Sequence, residues 1–176
     1  MSIEPLAGYT IGITAARRRE EFAAALERRG AKVISAPAIK IVPLADDSEL
    51  RDATRRCLAR PLDVVIATTG IGFRGRIEAA DAWGTAEELS KAIGEATVLA
   101  RGPKARGAIR AAGLRETWSP DSESSSEVLE YLIADDLAGK RIAVQLHGEP
   151  LPDMVETLRL AGAEVIEVPV YRWVLP

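Results

Sequence analysis

Apolar positions along this chain fall into two patterns, short continuous runs and longer segments with helical spacing. The short runs predict β-strands at residues 10–14, 32–44, 62–69, 96–100, 115–118, 141–146 and 164–175. The helical spacing predicts helices at residues 17–29, 49–59, 71–82, 86–93, 104–112, 126–136 and 151–161. Strands that alternate with helices of this length predict α/β architecture with parallel sheets.

One stretch of the pattern occurs twice. Residues 30–44 read GAKVISAPAIKIVPL and residues 162–176 read GAEVIEVPVYRWVLP, with six of the 15 aligned positions identical. Each copy comes after an apolar strand and a helix that ends in glycine, so the repeat predicts two domains built on one plan. Pro37 interrupts the first copy and Pro169 the second, which indicates edge strands or a crossing between domains.

The two copies belong to domains of unequal completeness. Residues 38–169 contain five predicted strands with intervening helices, enough for a complete flavodoxin-like parallel sheet domain. Residues 1–37 and 170–176 supply only part of a second α/β lobe, and the two proline-containing tails are expected to pair as a two-strand linker. We expect the incomplete lobe to be finished by further chain, or to be covered in a dimer.

Composition narrows the class of protein. The net charge is −3, and acidic residues are interleaved with the arginines, so no basic field favours nucleic acid. No apolar run approaches the ~20 residues of a membrane span, and the N-terminus lacks a signal peptide pattern. The single cysteine, Cys57, lies in a helical pattern, which favours a buried packing role. These features predict a cytoplasmic protein.

Candidate ligand-binding residues come directly after the predicted strands, because ligands of doubly wound sheets bind at the carboxyl ends of the strands. The turns there expose helix N-termini, which suit carboxylates. The candidates are Thr14, Arg17, Thr68, Thr69, Gly70, Arg101, Gly102, Lys104, Ser119, His147 and Gly148. For Thr68 and Thr69 helix capping is the competing interpretation, and for Arg101 and Lys104 it is simple solvation.

Two further motifs carry weaker signals. Gly70, Gly72 and Gly75 match G-x-G-x-x-G after a strand, but the next strand ends in Arg101 where a dinucleotide site has an acidic residue. We therefore interpret these glycines as a tight turn that could admit a carboxylate. His147 is the only histidine and has no cluster of other ligands in the sequence, so no metal site is predicted.

Six segments in order resemble the uroporphyrinogen-III synthase family. They are IGITAAR, VISAPAIKIVPL, DVVIATTGIGF, TVLARGPKARGAIRAAGL, SESSSEVLEYL and GAEVIEVPVYRW. The resemblance covers essentially the whole chain. It implies two α/β lobes, the second inserted within the first and joined to it by a two-stranded ladder. It also implies a longer chain than 176 residues, so we expect residues 1–176 alone to have little or no activity.

The resemblance implies a lyase of haem and other tetrapyrrole biosynthesis. The family closes hydroxymethylbilane, a polycarboxylate, into uroporphyrinogen III while inverting ring D, with no cofactor. Tyr171 aligns with the family tyrosine proposed to assist loss of hydroxide, and an aromatic packed in the ladder is its competing interpretation. The alternative function is a non-catalytic module of a transcriptional regulator that senses a tetrapyrrole or a small anion, with a DNA-binding domain downstream.

Overall fold

The computed structural model describes residues 4–43 and 48–176, and in these residues it forms eight strands and seven helices. The strands are β1 (Thr10–Ile13), β2 (Lys32–Ser35), β3 (Lys40–Pro43), β4 (Val64–Ala67), β5 (Thr97–Ala100), β6 (Arg141–Gln145), β7 (Glu164–Val168) and β8 (Tyr171–Val174). The helices are α1 (Arg19–Glu27), α2 (Ser48–Ala59), α3 (Gly70–Ala82), α4 (Ala86–Gly94), α5 (Pro103–Ala111), α6 (Ser125–Ile133) and α7 (Pro152–Leu160). The α/β architecture predicted from the sequence is confirmed.

The chain divides into two compact units. One runs up to Val42 and includes Trp173–Pro176, and the other is Pro43–Arg172. The larger unit contains a four-stranded parallel sheet in the order β5-β4-β6-β7. Every residue of β4 and β6 is buried, as expected for central parallel strands with both faces covered.

The core of the larger unit lies between this sheet and its helices. Ile66, Leu99, Ile142 and Val144 come from three strands and are fully buried against Val128 of α6 and Leu158 of α7. Burying a side chain of this size contributes roughly 1.5–3 kcal/mol, so these contacts stabilise the sheet and the helices packed on it. Cys57 is also fully buried and forms no disulfide, which confirms its predicted packing role.

The predicted strand at residues 115–118 does not form. Only Trp118 makes an isolated parallel bridge, to Leu99 of β5, so the predicted count of five strands in this region was wrong by one. The reason lies at Thr117, whose hydroxyl accepts the hydrogen bond of the Val98 N–H in place of a backbone carbonyl. A side chain that takes a ladder hydrogen bond competes with the backbone acceptor that would continue the strand.

The smaller unit contains the parallel pair β1–β2 and helix α1. Helix α1 begins two residues later than predicted, because Arg18 adopts a left-handed conformation (φ 52°) that a helix cannot include. Gly30 comes after the helix with φ 91°, as its predicted role of helix stop requires.

Both predicted long β segments are divided near their prolines. Residues 32–44 give β2 and β3 on either side of Pro37, and residues 164–175 give β7 and β8 on either side of Pro169. Strands β3 and β8 form a separate two-stranded sheet. The predicted end of the first segment, Leu44, lies outside the described residues. Within the described ranges, no helix combines the length and apolarity needed to cross a membrane.

Candidate functional site

The register of the parallel sheet brings several predicted site residues to one edge. Ala67 pairs with Ala100, and Gln145 pairs with Val168, so the turns after β4, β5 and β6 leave the sheet side by side. The Trp118 carbonyl accepts a hydrogen bond from the Ala100 N–H, which brings Ser119 to the same edge. We call this the carboxyl edge, and its predicted site residues are Thr68, Thr69, Gly70, Arg101, Gly102, Lys104, Ser119, His147 and Gly148.

Two predicted residues belong to the other unit. Thr14 and Arg17 lie after β1 there, and both side chains are exposed. The Thr14 carbonyl accepts a hydrogen bond from the Ala38 N–H.

The turn after β4 presents a capped helix N-terminus. Thr69 is the N-cap of α3, and its hydroxyl oxygen accepts a hydrogen bond from the Gly72 N–H at 3.2 Å. The N–H groups of Gly70 and Ile71, between Thr69 and Gly72, have no partner within the helix because they belong to its first turn. Free N–H groups and the helix dipole together favour a bound anion at this turn.

The first two glycines of G-x-G-x-x-G are required by packing inside the protein. A Cβ on Gly70 would lie 2.3 Å from the Lys104 carbonyl oxygen, and a Cβ on Gly72 would lie 2.6 Å from Gln145 Nε2. A Cβ on Gly75 would meet nothing within 4 Å. Gly70 therefore lets the N-termini of α3 and α5 lie close together, and Gly72 leaves room for Gln145.

Thr68 differs from its neighbour Thr69. It is 2% exposed, its hydroxyl donates to the Gln145 carbonyl oxygen at 3.0 Å, and the same hydroxyl accepts from Gln145 Nε2 at 3.2 Å. Gln145 is a residue that sequence reasoning missed. Its signal was available, because it is a lone amide at the end of the apolar run Ile142–Val144.

The turn after β5 lies beside the side chain of Glu123. Gly102 is the N-cap of α5 and has no side chain to cap the helix. Glu123 packs there, with its Oε2 3.1 Å from the position of a Cβ on Gly102. Glu123 adopts φ 58°, and no sequence signal predicted this conformation. A carboxylate near a helix N-terminus is favoured by the helix dipole.

The turn after β6 carries a histidine whose charge is disfavoured. Partial burial lowers the pKa of His147 from its ordinary value of 6.5, the charge of Arg101 lowers it further, and Glu149 opposes both. Its Nδ1 is buried without a hydrogen-bond partner among the described residues. Gly148 is next, with φ 88°, and forms a parallel bridge with Arg172.

Tyr171 lies next to this turn in the same unit, since its neighbour Arg172 bridges Gly148. Its side chain is 8% exposed. The carboxyl edge thus combines helix N-termini, the hydroxyl of Thr69 and the cations Arg101 and Lys104, and the strand that carries Tyr171 lies beside its turn after β6. In the described part of the chain, no three His, Cys, Asp or Glu side chains cluster as metal ligands.

Fold and edge together define an α/β protein whose parallel sheet presents helix N-termini suited to anionic ligands. The chain belongs to the uroporphyrinogen-III synthase family, because the family model described as "Uroporphyrinogen-III synthase HemD" matches residues 20–176.

Solved structures of this family share the fold. A mutant uroporphyrinogen III synthase from the extremely thermophilic bacterium Thermus thermophilus is 30% identical, with a TM-score of 0.77 over 96% of this chain and 64% of that chain. The wild-type enzyme from the same organism is 31% identical, with a TM-score of 0.71 over 96% of this chain and 63% of that chain.

A relative without a described function matches as well. "Uncharacterized protein YjjA" of Bacillus subtilis (strain 168) is 29% identical over 171 residues, which are 97% of this chain and 63% of that protein. The chain therefore spans a little under two thirds of the length of the relatives described above.

Proposed function

We propose that the protein is a uroporphyrinogen-III synthase, a lyase that closes hydroxymethylbilane into uroporphyrinogen III with inversion of ring D. The observation that carries the proposal is the carboxyl edge of a family member, where the N-termini of α3 and α5 lie together and the cations Arg101 and Lys104 follow β5. The substrate is a flexible polycarboxylate. Holding it in a folded pose is mainly a task of orientation, and several carboxylate subsites on a rigid sheet suit that task.

We assign the substrate contacts to residues of this edge. The N–H groups at the start of α3 and the Thr69 hydroxyl bind one substrate carboxylate, and Arg101 and Lys104 supply positive charge for others. Thr68, Gly70, Gly102, Ser119, His147 and Gly148 shape the turns. Thr14 and Arg17 remain proposed contacts of the other unit.

Tyr171 is the proposed proton donor to the departing hydroxyl of the substrate. Loss of this hydroxyl as water, together with the pyrrole N–H proton, leaves an electrophilic azafulvene. The substituted carbon of ring D attacks it and gives a spiro intermediate. Reopening and reclosure invert the ring. No step needs an oxidant, a reductant or a bound cofactor.

We also propose that the lobes adopt the family plan. The first lobe comprises residues 1–37 and 170–176, and the second comprises residues 38–169. The pairing of β3 with β8 supports a two-stranded linker. The matches to synthases do not favour the regulator alternative.

The test supplies hydroxymethylbilane to the protein at the length at which it occurs in the cell. The synthase gives the type III isomer, whereas spontaneous closure gives type I. Chromatographic separation of the oxidised products measures the ratio of the type III isomer to the type I isomer. A product that is type I alone, at every protein concentration, would overturn the proposal.

A further inference from the structure

Gln145 places a primary amide in a position where an apolar side chain would complete the strand. It is the last residue of β6 and is 1% exposed. Its Nε2 lies 3.2 Å from Thr68 Oγ1, 3.1 Å from the Thr69 carbonyl oxygen and 3.2 Å from Thr69 Oγ1. A carbonyl oxygen can only accept, so the nitrogen of the amide must face this turn.

We propose that Gln145 is a positioning residue of the carboxyl edge, which fixes the Thr69 hydroxyl as a hydrogen-bond donor to a substrate carboxylate. The inference rests on the proposed function. In it, the Gln145 amide determines that the turn after β4 offers a hydrogen-bond donor to the ligand.

The count of hydrogen bonds at Thr69 carries the argument. A hydroxyl has one proton and two acceptor lone pairs. The Thr69 oxygen lies in accepting range of two donors, the Gly72 N–H and Gln145 Nε2, each at 3.2 Å. The amide nitrogen of Gln145 has only two hydrogens for three acceptors, the two threonine hydroxyls and the Thr69 carbonyl oxygen, so at least one hydrogen is shared. With a shared amide hydrogen and the Gly72 N–H on its lone pairs, the Thr69 hydroxyl directs its proton away from these donors. Thr69 is partly exposed, so this proton is available to an incoming oxygen.

The neighbouring threonine shows the contrast. The Thr68 hydroxyl donates to the Gln145 carbonyl oxygen, so its proton is already used within the protein. Gln145 thereby separates two adjacent threonines into one that is internally satisfied and one that donates outward. This arrangement selects a carboxylate and disfavours a ligand N–H at the same place.

The buried amide of Gln145, which we call the clamp, lowers the stability of the fold, and this cost indicates a functional role. Gln145 Oε1 is buried without a hydrogen-bond partner among the described residues, and an unpaired buried acceptor destabilises a fold. An apolar residue at this position would avoid that cost. The side chain of Gln145 also requires a glycine at position 72, since a Cβ on Gly72 would lie 2.6 Å from both Gln145 Nε2 and Val170 Cγ2. Val170 precedes the proposed catalytic residue Tyr171.

A double-mutant cycle tests the inference, with uroporphyrin III as the carboxylate probe and its fluorescence as the readout. The variants are Gln145→Leu, Thr69→Val and the pair, with Gln145→Met as a second apolar substitution and Thr69→Ser as the conservative control. We expect each single variant to bind about tenfold more weakly, the equivalent of one hydrogen bond. We expect the pair to be no more than about twofold weaker than Thr69→Val, because Gln145 acts through Thr69. Losses that multiply would overturn the positioning role.

A second measurement separates this inference from the proposed function. In Gln145→Leu, amide hydrogen exchange at Gly72 should be about tenfold faster, while exchange at Ile109 in α5 should stay unchanged. If the wild-type protein does not bind uroporphyrin III, the proposed function and the ligand named here both fail. If binding is intact but Gly72 exchange is unchanged in the variant, the clamp alone is overturned.

Discussion

At the carboxyl edge, the hydrogen bonds that a side chain makes within the protein determine which donor or acceptor it can offer to a ligand. The Thr69 and Thr68 hydroxyls are adjacent in sequence, yet Gln145 directs one outward and holds the other inside. Such a difference cannot be predicted from residue types alone, because it depends on which lone pairs the fold has already engaged.

At Tyr171 we expect a partial effect of removing the hydroxyl. Tyr171→Phe keeps the buried ring and removes the proposed proton donor, so the rate of type III formation should fall about tenfold. The measurement is the initial rate of type III product from hydroxymethylbilane, with the protein at the length at which it occurs in the cell. Thermal unfolding of both proteins serves as the control, and an unchanged rate would remove the role assigned to this hydroxyl.

At His147 the lowered pKa predicts a pH dependence of stability. The unfolded histidine binds a proton near its ordinary pKa of 6.5, whereas the folded one binds it only at lower pH. The free energy of unfolding should therefore be constant above this range and fall as the pH drops from about 7 towards 5.

The control for this prediction is His147→Gln, which cannot titrate. Urea unfolding between pH 5 and 8 should show a smaller loss of stability on acidification in the variant than in the wild type. Parallel curves for the two proteins would contradict the prediction. The carboxylates with lowered pKa values, Glu21, Glu116 and Glu164, titrate below their ordinary value of 4.5 and so outside this window.

At the scale of elements, the approach of two helix N-termini depends on one missing methyl group. A Cβ on Gly70 would lie 2.3 Å from a backbone carbonyl oxygen of α5, which cannot move without shifting that helix. We expect Gly70→Ala to destabilise the protein by more than about 2 kcal/mol and to weaken uroporphyrin III binding.

Gly75 in the same helix provides the matched control. Nothing lies within 4 Å of a Cβ there, so Gly75→Ala should stabilise the protein by about 0.5–1 kcal/mol through helix propensity. Chemical unfolding measures both variants. Equal effects at the two positions would show that the contact between α3 and α5 does not constrain the turn.

Sequence patterns predicted most elements but not their local exceptions. The apolar runs of β4–β7 were found because parallel strands buried on both faces leave a strong signal. The strand at residues 115–118 was predicted wrongly, since the substitution of a backbone acceptor by the Thr117 hydroxyl has no sequence pattern. The left-handed Arg18 likewise displaced a helix start, because a non-glycine residue gives no warning of φ 52°.

The candidate site was predictable to the extent that topology determines it. Once the strands are parallel, their carboxyl ends share one edge, and the order of the chain determines which turns lie there. Gln145 and Glu123 were missed because their importance comes from contacts with distant segments, Thr69 and Gly102 respectively.

At the scale of the whole molecule, the central claim is that the carboxyl edge of the larger unit binds a polycarboxylate tetrapyrrole. The most direct test is a titration of the 176-residue protein with uroporphyrin III, monitored by two-dimensional NMR of the backbone amides. We predict saturable shifts concentrated at Gly70 and Ile71, at Gly102 and Lys104, and at His147 and Gly148. Shifts confined to the opposite edge, at Asp63, Thr97 and Lys140, or no shifts at all, would contradict the claim.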